Sequence, residues 1–282
     1  MRTPLFLFAM LAMFAGRAAH AQVVDDRPIV VTGKKGNARE QVQRQLRQIV
    51  TTIDGQLARF ADPVCPLVIG LSPESRLFVA SRIRAISTEI GARVAADRCE
   101  PNIVIIIAAD ADVFTEALRK RFPRMFASLQ PGELRRAKRE GPVHAWNTVE
   151  VRNEDGLGVE GGDGDEPPSL MVQSASNIVR TTQQVTLSSI VVIDDEAAVG
   201  KTLTQIADFA AMRTLSGARP PREAGMADTI LSLFDKDGAP PPQGLTELDR
   251  GFIKELYSGA GNATARQKSR AIARRVTGEK KD

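Results

Sequence analysis

The sequence predicts an α/β fold with a mixed or mainly parallel sheet, flanking helices and a helical carboxy-terminal portion; an α+β fold is the alternative. Two apolar runs, residues 64–71 and 102–107, are separated by a long segment with helical periodicity. Strands joined by one helix normally lie parallel in a right-handed crossover. Residues 103–107 are apolar at every position, as in a strand buried on both faces. Residues 197–277 show helical patterns.

Residues 1–21 are expected to be a secretory signal peptide. Arg2 precedes an apolar segment at residues 5–15, and Ala19-His20-Ala21 forms a small-x-small end that signal peptidase recognises. The apolar segment is about half as long as a membrane span requires. We therefore expect a mature protein that begins near Gln22, has no transmembrane segment, and is periplasmic or secreted.

The rest of the 282-residue chain is long enough for one large domain or for two lobes that share a core. We divide it into an amino-terminal α/β lobe at residues 22–153 and a carboxy-terminal lobe of strand and helices at residues 170–282. Residues 154–169 form an acidic, Gly-rich loop between them.

The elements of the first lobe follow from periodicity and capping residues. An edge strand is predicted at residues 29–32, and a helix follows with apolar residues three or four apart, at Val42, Leu46, Ile49 and Ile53. After the strand at residues 64–71, Ser72 is predicted to cap a helix that has Pro73 at its first position. The predicted apolar face of that helix contains Leu77, Ala80, Ile83, Ile86, Ile90 and Val94.

The remaining elements follow from the same patterns. Two helices are predicted at residues 112–122 and 131–139, and strands at 143–151 and within 171–193. The carboxy-terminal helices are predicted at residues 197–216, 225–234, 245–258 and 263–277.

Cys65 and Cys99 are the only cysteines of the chain, and we expect them to form a disulfide in an oxidising compartment. Closing a loop of this length stabilises a fold by roughly 3–4 kcal/mol in the chain-entropy model. Two buried free thiols, or one reactive thiol, are the alternatives.

Composition excludes several kinds of site. The formal net charge of +4 is too small to indicate a nucleic-acid partner, and one Trp and one Tyr argue against base-stacking surfaces and sugar-binding clefts. Because His20 is removed with the signal peptide, His144 is the only histidine of the mature chain. Zinc sites that need two imidazoles are therefore excluded. We predict no cofactor and no metal.

Asp194, Asp195 and Glu196 follow a predicted buried strand and begin a predicted helix. Clustered carboxylates at such a point can bind a metal or act as acid and base. They can equally cap the helix and favour the positive end of its dipole. The sequence leaves both interpretations open.

Three other motifs have simpler explanations. Gly200-Lys201-Thr202 resembles the end of a phosphate-binding loop, but Asp195 occupies the position of the first glycine, where a carboxylate would repel phosphate. The acidic segments at residues 161–166 and 235–238 resemble parts of calcium-binding loops, yet each is a single imperfect copy. We expect turns at both, and weak surface binding of calcium at residues 161–166 is the alternative.

Two resemblances extend this interpretation. Residues 64–71, Arg82-Ile83-Arg84 and Cys99-Glu100-Pro101-Asn102 resemble an uncharacterised family of exported alphaproteobacterial proteins, which implies export and a common fold. The strand, long helix and closing Leu-Thr-x-x-Asp helix of the carboxy-terminal part resemble a degenerate zinc-metallopeptidase-like domain. In that alignment Gln205, Ile206 and Phe209 stand where a peptidase carries its zinc ligands and base, so the resemblance implies architecture only.

These observations lead us to expect an exported envelope protein with a non-catalytic binding or structural role. The sequence does not identify a partner, and another envelope protein is one candidate. The alternative is a carboxylate-dependent hydrolase that uses Asp194 and Asp195, with Asp208 as a further candidate. A third hypothesis is an enzyme in which His144 activates a nucleophile.

Overall fold

The computed structural model of the chain describes residues 35–127, 129–138, 141–160, 167–172, 180–235 and 240–279. These described residues all belong to one compact unit. The predicted signal peptide, the predicted edge strand at residues 29–32 and the acidic turn at residues 161–166 lie outside the described residues, as does most of the turn at 235–238.

The described elements, in chain order, are α1 (Lys35–Ile49), β1 (Pro66–Ile69), α2 (Pro73–Ile90), β2 (Ile103–Ala108), α3 (Ala111–Arg121), α4 (Pro123–Ala127), α5 (Pro131–Ala137), β3 (Val143–Asn153), β4 (Thr182–Asp194), α6 (Asp195–Ala198), α7 (Leu203–Ser216), a 3₁₀ turn (Ile230–Phe234), α8 (Glu247–Tyr257) and α9 (Ala265–Val276).

The four described strands form one mixed, mainly parallel sheet in the order β1-β2-β4-β3, which confirms the predicted fold class. β1, β2 and β4 are parallel, and β3 runs antiparallel to β4 at the edge of the sheet. The carboxyl ends of the three parallel strands therefore lie at one end of the sheet. The start of β3 lies at the same end, because Val143 pairs with Ile193.

Helices cover both faces of the sheet. On the first face, Ile105 and Val191 are fully buried in a core that extends from Leu46 to Ile272 and includes side chains of α2, α7 and α8. On the second face, Trp146 and Val192 pack against a smaller cluster from α4 and α5. The two predicted lobes thus share one sheet and one core.

The predicted start of α2 is confirmed: the Ser72 side chain accepts a hydrogen bond from the Ser75 N–H, and Pro73 is the first helical residue. The predicted apolar face needs correction. Leu77 is 71% exposed, and the helix ends at Ile90, so Val94 lies beyond it. The buried face consists of Val79, Ile83, Ile86, Ser87 and Ile90.

Three other predicted helices differ in extent. α1 ends at Ile49, so Ile53 is not part of it. Between residues 197 and 216 the chain forms two helices instead of one, because Gly200 adopts a φ of 78° and Thr202 caps α7. The helix predicted at residues 225–234 is only a 3₁₀ turn, capped by Thr229.

Cys65 and Cys99 form the predicted disulfide, with 6.0 Å between their Cα atoms. It ties the residue before β1 to the segment that leads into β2. Asn102 strengthens the same junction, since its Oδ1 accepts a hydrogen bond of 2.7 Å from the Cys65 N–H. Among the described residues, no helix combines the length and apolar character needed to cross a membrane.

Candidate functional site

Asp194 is a helix cap. Its Oδ1 accepts hydrogen bonds from the N–H groups of Glu196 at 3.1 Å and Ala197 at 3.4 Å. Its Oδ2 accepts a third, at 3.3 Å, from the N–H of Ala111 at the start of α3. Asp195 and Glu196 occupy the exposed first turn of α6. The capping interpretation of Asp194 is confirmed: Oδ1 caps α6, and Oδ2 binds the first residue of α3.

Asp208 lies elsewhere, fully buried on α7. Its carboxylate binds the guanidinium of Arg82 on α2 and accepts a hydrogen bond of 2.8 Å from the Leu245 N–H. Asp194 and Asp208 are thus each held by a separate set of partners. Within the described ranges, no three His, Cys, Asp or Glu residues are grouped so that they could hold a metal ion.

The positions aligned with the peptidase motif have structural roles. Gln205 forms a capping box with Thr202 at the start of α7 and donates a hydrogen bond of 2.8 Å to the Pro242 carbonyl. Ile206 and Phe209 are buried in the main core. Thr202, the last residue of the Gly-Lys-Thr motif, serves as the N-cap of α7.

A cavity of about 770 Å³ lies between α3, α4, α5 and the start of β3. Its walls include Asp112, Thr115 and Glu116 from α3, Phe126 from α4, Ala137 from α5 and His144 from β3. The cavity is close to the end of the sheet at which β2 and β4 terminate. The helices that follow these two strands pack on opposite faces, and in open α/β sheets such a point commonly binds ligands.

His144 is the buried centre of this cavity wall, with 2% of its surface exposed. Its Nδ1 lies 3.1 Å from the Ala137 carbonyl oxygen, and its Nε2 lies 2.8 Å from Oδ1 of Asp112. The second contact is close but is not aligned as a hydrogen bond, so Nε2 has no hydrogen-bond partner among the described residues. Asp112 is held in turn by the Gly141 N–H, 3.2 Å from the same Oδ1.

Thr115 also lines the cavity. Its side chain is 5% exposed, and Oγ1 has no hydrogen-bond partner within the described part of the chain. Thr115 follows Asp112 by three residues on α3, which puts both on one side of that helix. The buried Nε1 of Trp146 has no hydrogen-bond partner among the described residues either, and the indole packs on Phe126 with ring centroids 5.1 Å apart.

Charged groups line the rest of the cavity. Arg119 holds Glu116 through two hydrogen bonds of 2.5 and 2.7 Å, and these lower the pKa of Glu116 to about 2. Lys120 lies 3.6 Å from the same carboxylate. Lys138 also lines the cavity, directly after Ala137 in the chain. The walls therefore combine cationic, anionic, apolar and buried hydrogen-bonding groups.

Sequence reasoning identified His144 but missed Asp112, Thr115 and the cavity. The available signal was the Asp112-x-x-Thr115 spacing at the start of a helix that follows a buried strand. Comparisons with family models, with curated proteins and with solved structures find no match for the chain.

Proposed function

We propose that this is an exported, non-catalytic binding protein and that the cavity between α3 and β3 holds its ligand. One observation carries the proposal: the buried Thr115 lines the cavity, and its Oγ1 has no hydrogen-bond partner among the described residues.

The energetic cost of this arrangement favours a ligand. A buried polar atom without a hydrogen bond costs about 1–3 kcal/mol, and native proteins leave few of them. A bound molecule with a suitable polar atom would remove that cost at Thr115. The cavity volume of about 770 Å³ is in the range of small-molecule sites, which is roughly 300–1,000 Å³.

The surroundings of His144 favour binding over catalysis. A histidine that activates a hydroxyl needs one nitrogen as a proton acceptor facing that hydroxyl. Here Nδ1 faces the Ala137 carbonyl and Nε2 faces the Asp112 carboxylate, so each nitrogen is directed at an oxygen. Nδ1 can bond to a carbonyl only as a donor, and Nε2 is occupied by the Asp112 carboxylate, so neither nitrogen faces a hydroxyl.

Export is the second part of the proposal. It is supported by the signal-like segment at residues 1–21, by the Cys65–Cys99 disulfide and by the resemblance to exported alphaproteobacterial proteins. Fractionation of a producing bacterium should recover the protein in the periplasm or the medium with Gln22 at or near its amino terminus. A full-length chain retained in the cytoplasm would contradict export.

The binding function can be tested by mass spectrometry under non-denaturing conditions on protein isolated from the periplasm. We expect a mass above that of the bare chain, with a small molecule released on denaturation. Ala117 lines the cavity and is exposed, so Ala117→Trp should fill the site and remove the added mass. Ala85→Trp is the matched control, since Ala85 is an exposed residue of α2 on the other face of the sheet.

Two results would overturn the binding function. One is the bare mass for the wild-type protein. The other is turnover of an ester or peptide substrate that disappears in His144→Gln or in Asp194→Ala, because that result would favour an enzyme.

A further inference from the structure

The helices around the cavity carry a concentrated positive charge. Residues 111–138, which contain α3, α4 and α5, include seven Lys or Arg and three Asp or Glu. This excess of four positive charges equals the formal net charge of +4 of the entire chain. The rest of the chain is therefore neutral in sum. The cavity wall itself holds three of these cations, Arg119, Lys120 and Lys138, beside the carboxylates of Asp112 and Glu116. A cleft in a positively charged surface raises the local concentration of anionic ligands.

The polar groups inside the cavity match a ligand that accepts hydrogen bonds. The Thr115 hydroxyl can donate, and Lys138 adds an ammonium group that can only donate. Asp112 and Glu116 also line the cavity, but Asp112 contacts His144 and Glu116 is held by Arg119. Both carboxylates are thus engaged by a histidine or an arginine, and Lys138 remains to meet an anionic group.

The other walls are apolar. Val113, Ala117, Phe126 and Ala137 line the same cavity, and Val113 is 65% exposed. An inorganic anion such as phosphate would leave this apolar surface in contact with water, and a neutral apolar molecule would not use the cationic groups. A molecule that carries both features satisfies both parts of the wall.

We infer that the ligand is an organic anion, namely a carboxylate attached to an apolar body. The carboxylate is held by Lys138 and the Thr115 hydroxyl, and the apolar body packs on Val113, Ala117 and Phe126. This inference rests on the proposed binding function and adds to it the chemical class of the ligand.

Trp146 provides the readout for a test, because it is the only tryptophan of the chain and is buried against Phe126 of the cavity wall. Its fluorescence should change with occupancy. Three probes separate the two features of the ligand: decanoate has both, 1-decanol has only the apolar body, and propionate has the carboxylate with almost no apolar body. We expect saturable binding of decanoate, and binding weaker by at least about tenfold for each of the other two.

Variants identify the groups that bind the carboxylate. Lys138→Gln and Thr115→Val should each weaken decanoate binding by about fivefold to tenfold and leave decanol binding unchanged. Arg270→Gln is the matched control, since Arg270 is an exposed cation on α9 and away from the cavity walls. It should bind decanoate like the wild-type protein.

The possible failures can be told apart. Equal affinity for decanoate and decanol, or no effect of Lys138→Gln, would overturn the ligand class, while a saturable tryptophan signal would leave the binding function intact. The absence of a signal with all three probes would also overturn the ligand class. The binding function itself would be overturned only if the protein isolated from the periplasm also had the mass of the bare chain.

Discussion

Arg82 of α2 and Asp208 of α7 form an ion pair that joins two helices on the first face of the sheet. The guanidinium donates two hydrogen bonds to the carboxylate, at 2.5 and 2.8 Å. Asp208 is fully buried, whereas the Arg82 side chain is 31% exposed. Oδ2 of Asp208 also accepts the Leu245 N–H, so a single carboxylate holds α2, α7 and the segment before α8 together.

Asp208→Ala is therefore expected to destabilise the fold by about 2–4 kcal/mol, because it leaves Arg82 and the Leu245 N–H without their partner. Part of the cost of freeing Arg82 is recovered from water, since that side chain is partly exposed. Chemical denaturation measures the free energy of unfolding. A loss below about 0.5 kcal/mol would contradict this role.

Gly244→Ala gives an independent check of the same contact. A Cβ at residue 244 would lie 2.7 Å from Oδ2 of Asp208, so the methyl group should displace the carboxylate. We expect Gly244→Ala to be clearly destabilising. Gly158→Ala is the control, because a Cβ at that residue would meet open space.

The disulfide closes a segment with a sequence separation of 34 residues, so its reduction should cost about 3–4 kcal/mol in the chain-entropy model. In a protein of this size the melting temperature should fall by about 10 °C. Calorimetry with and without reductant measures the change. A double variant, Cys65→Ser with Cys99→Ser, should melt at the lower temperature and should not respond to reductant. Thiol labelling of the folded, unreduced protein would contradict the disulfide.

Asp194 and Asp195 are adjacent carboxylates, and we expect their replacement by alanine to have different effects on stability. Asp194→Ala removes an acceptor from three backbone N–H groups, so we expect a loss of about 1–2 kcal/mol in the free energy of unfolding. Asp195 is exposed in the first turn of α6, and Asp195→Ala should cost less than about 0.5 kcal/mol. Equal losses for the two variants, or a gain for Asp194→Ala, would contradict the capping role.

Thr115 and Thr229 are both buried threonines, and their replacement by valine should have different effects on the stability of the fold. The Thr229 hydroxyl donates a hydrogen bond of 2.6 Å to Asp249, so Thr229→Val should cost about 1–3 kcal/mol. Thr115 Oγ1 has no partner in the described structure, so Thr115→Val should leave the stability of the ligand-free protein unchanged or higher. A large loss in Thr115→Val would indicate a structural role for that hydroxyl.

Tyr257 is expected to keep its proton well above pH 10, because burial raises the pKa of its hydroxyl. The hydroxyl donates to the Leu215 carbonyl and accepts the Phe60 N–H. An unfolded tyrosine loses its proton near pH 10, so the folded state binds more protons above that pH. Stability should therefore be unaffected by this group below about pH 10 and should fall as the pH rises further.

Ultraviolet absorbance follows this titration directly, since Tyr257 is the only tyrosine of the chain. Ionisation should coincide with alkaline unfolding, and Tyr257→Phe should lack the signal. Ionisation near pH 10 in the folded protein would contradict the burial argument.

Local signals predicted much of the fold. The Ser72 cap, the α2 helix and the buried β2 strand follow from residues that are neighbours in the chain, and their local interactions are retained in the structure. The position of Leu77 shows where such reasoning fails. Leu77 has the apolar character of a core residue, but Val79, Ile83, Ile86 and Ile90 already form the buried stripe of α2, and Leu77 lies two residues outside its register.

The sequence by itself determined the strand–helix–strand unit, the cysteine pair and the cap at Ser72, because each depends on local periodicity, on residue type or on backbone groups within a few residues. Only the tertiary structure decided what surrounds His144. β3 pairs beyond β4 at the edge of the sheet, with His144 opposite Val192, and this pairing brings the imidazole against Asp112 of α3. Side-chain periodicity specifies which face of a strand is buried. The order of the strands specifies which side chains that face contacts, and this order depends on the packing of the whole chain.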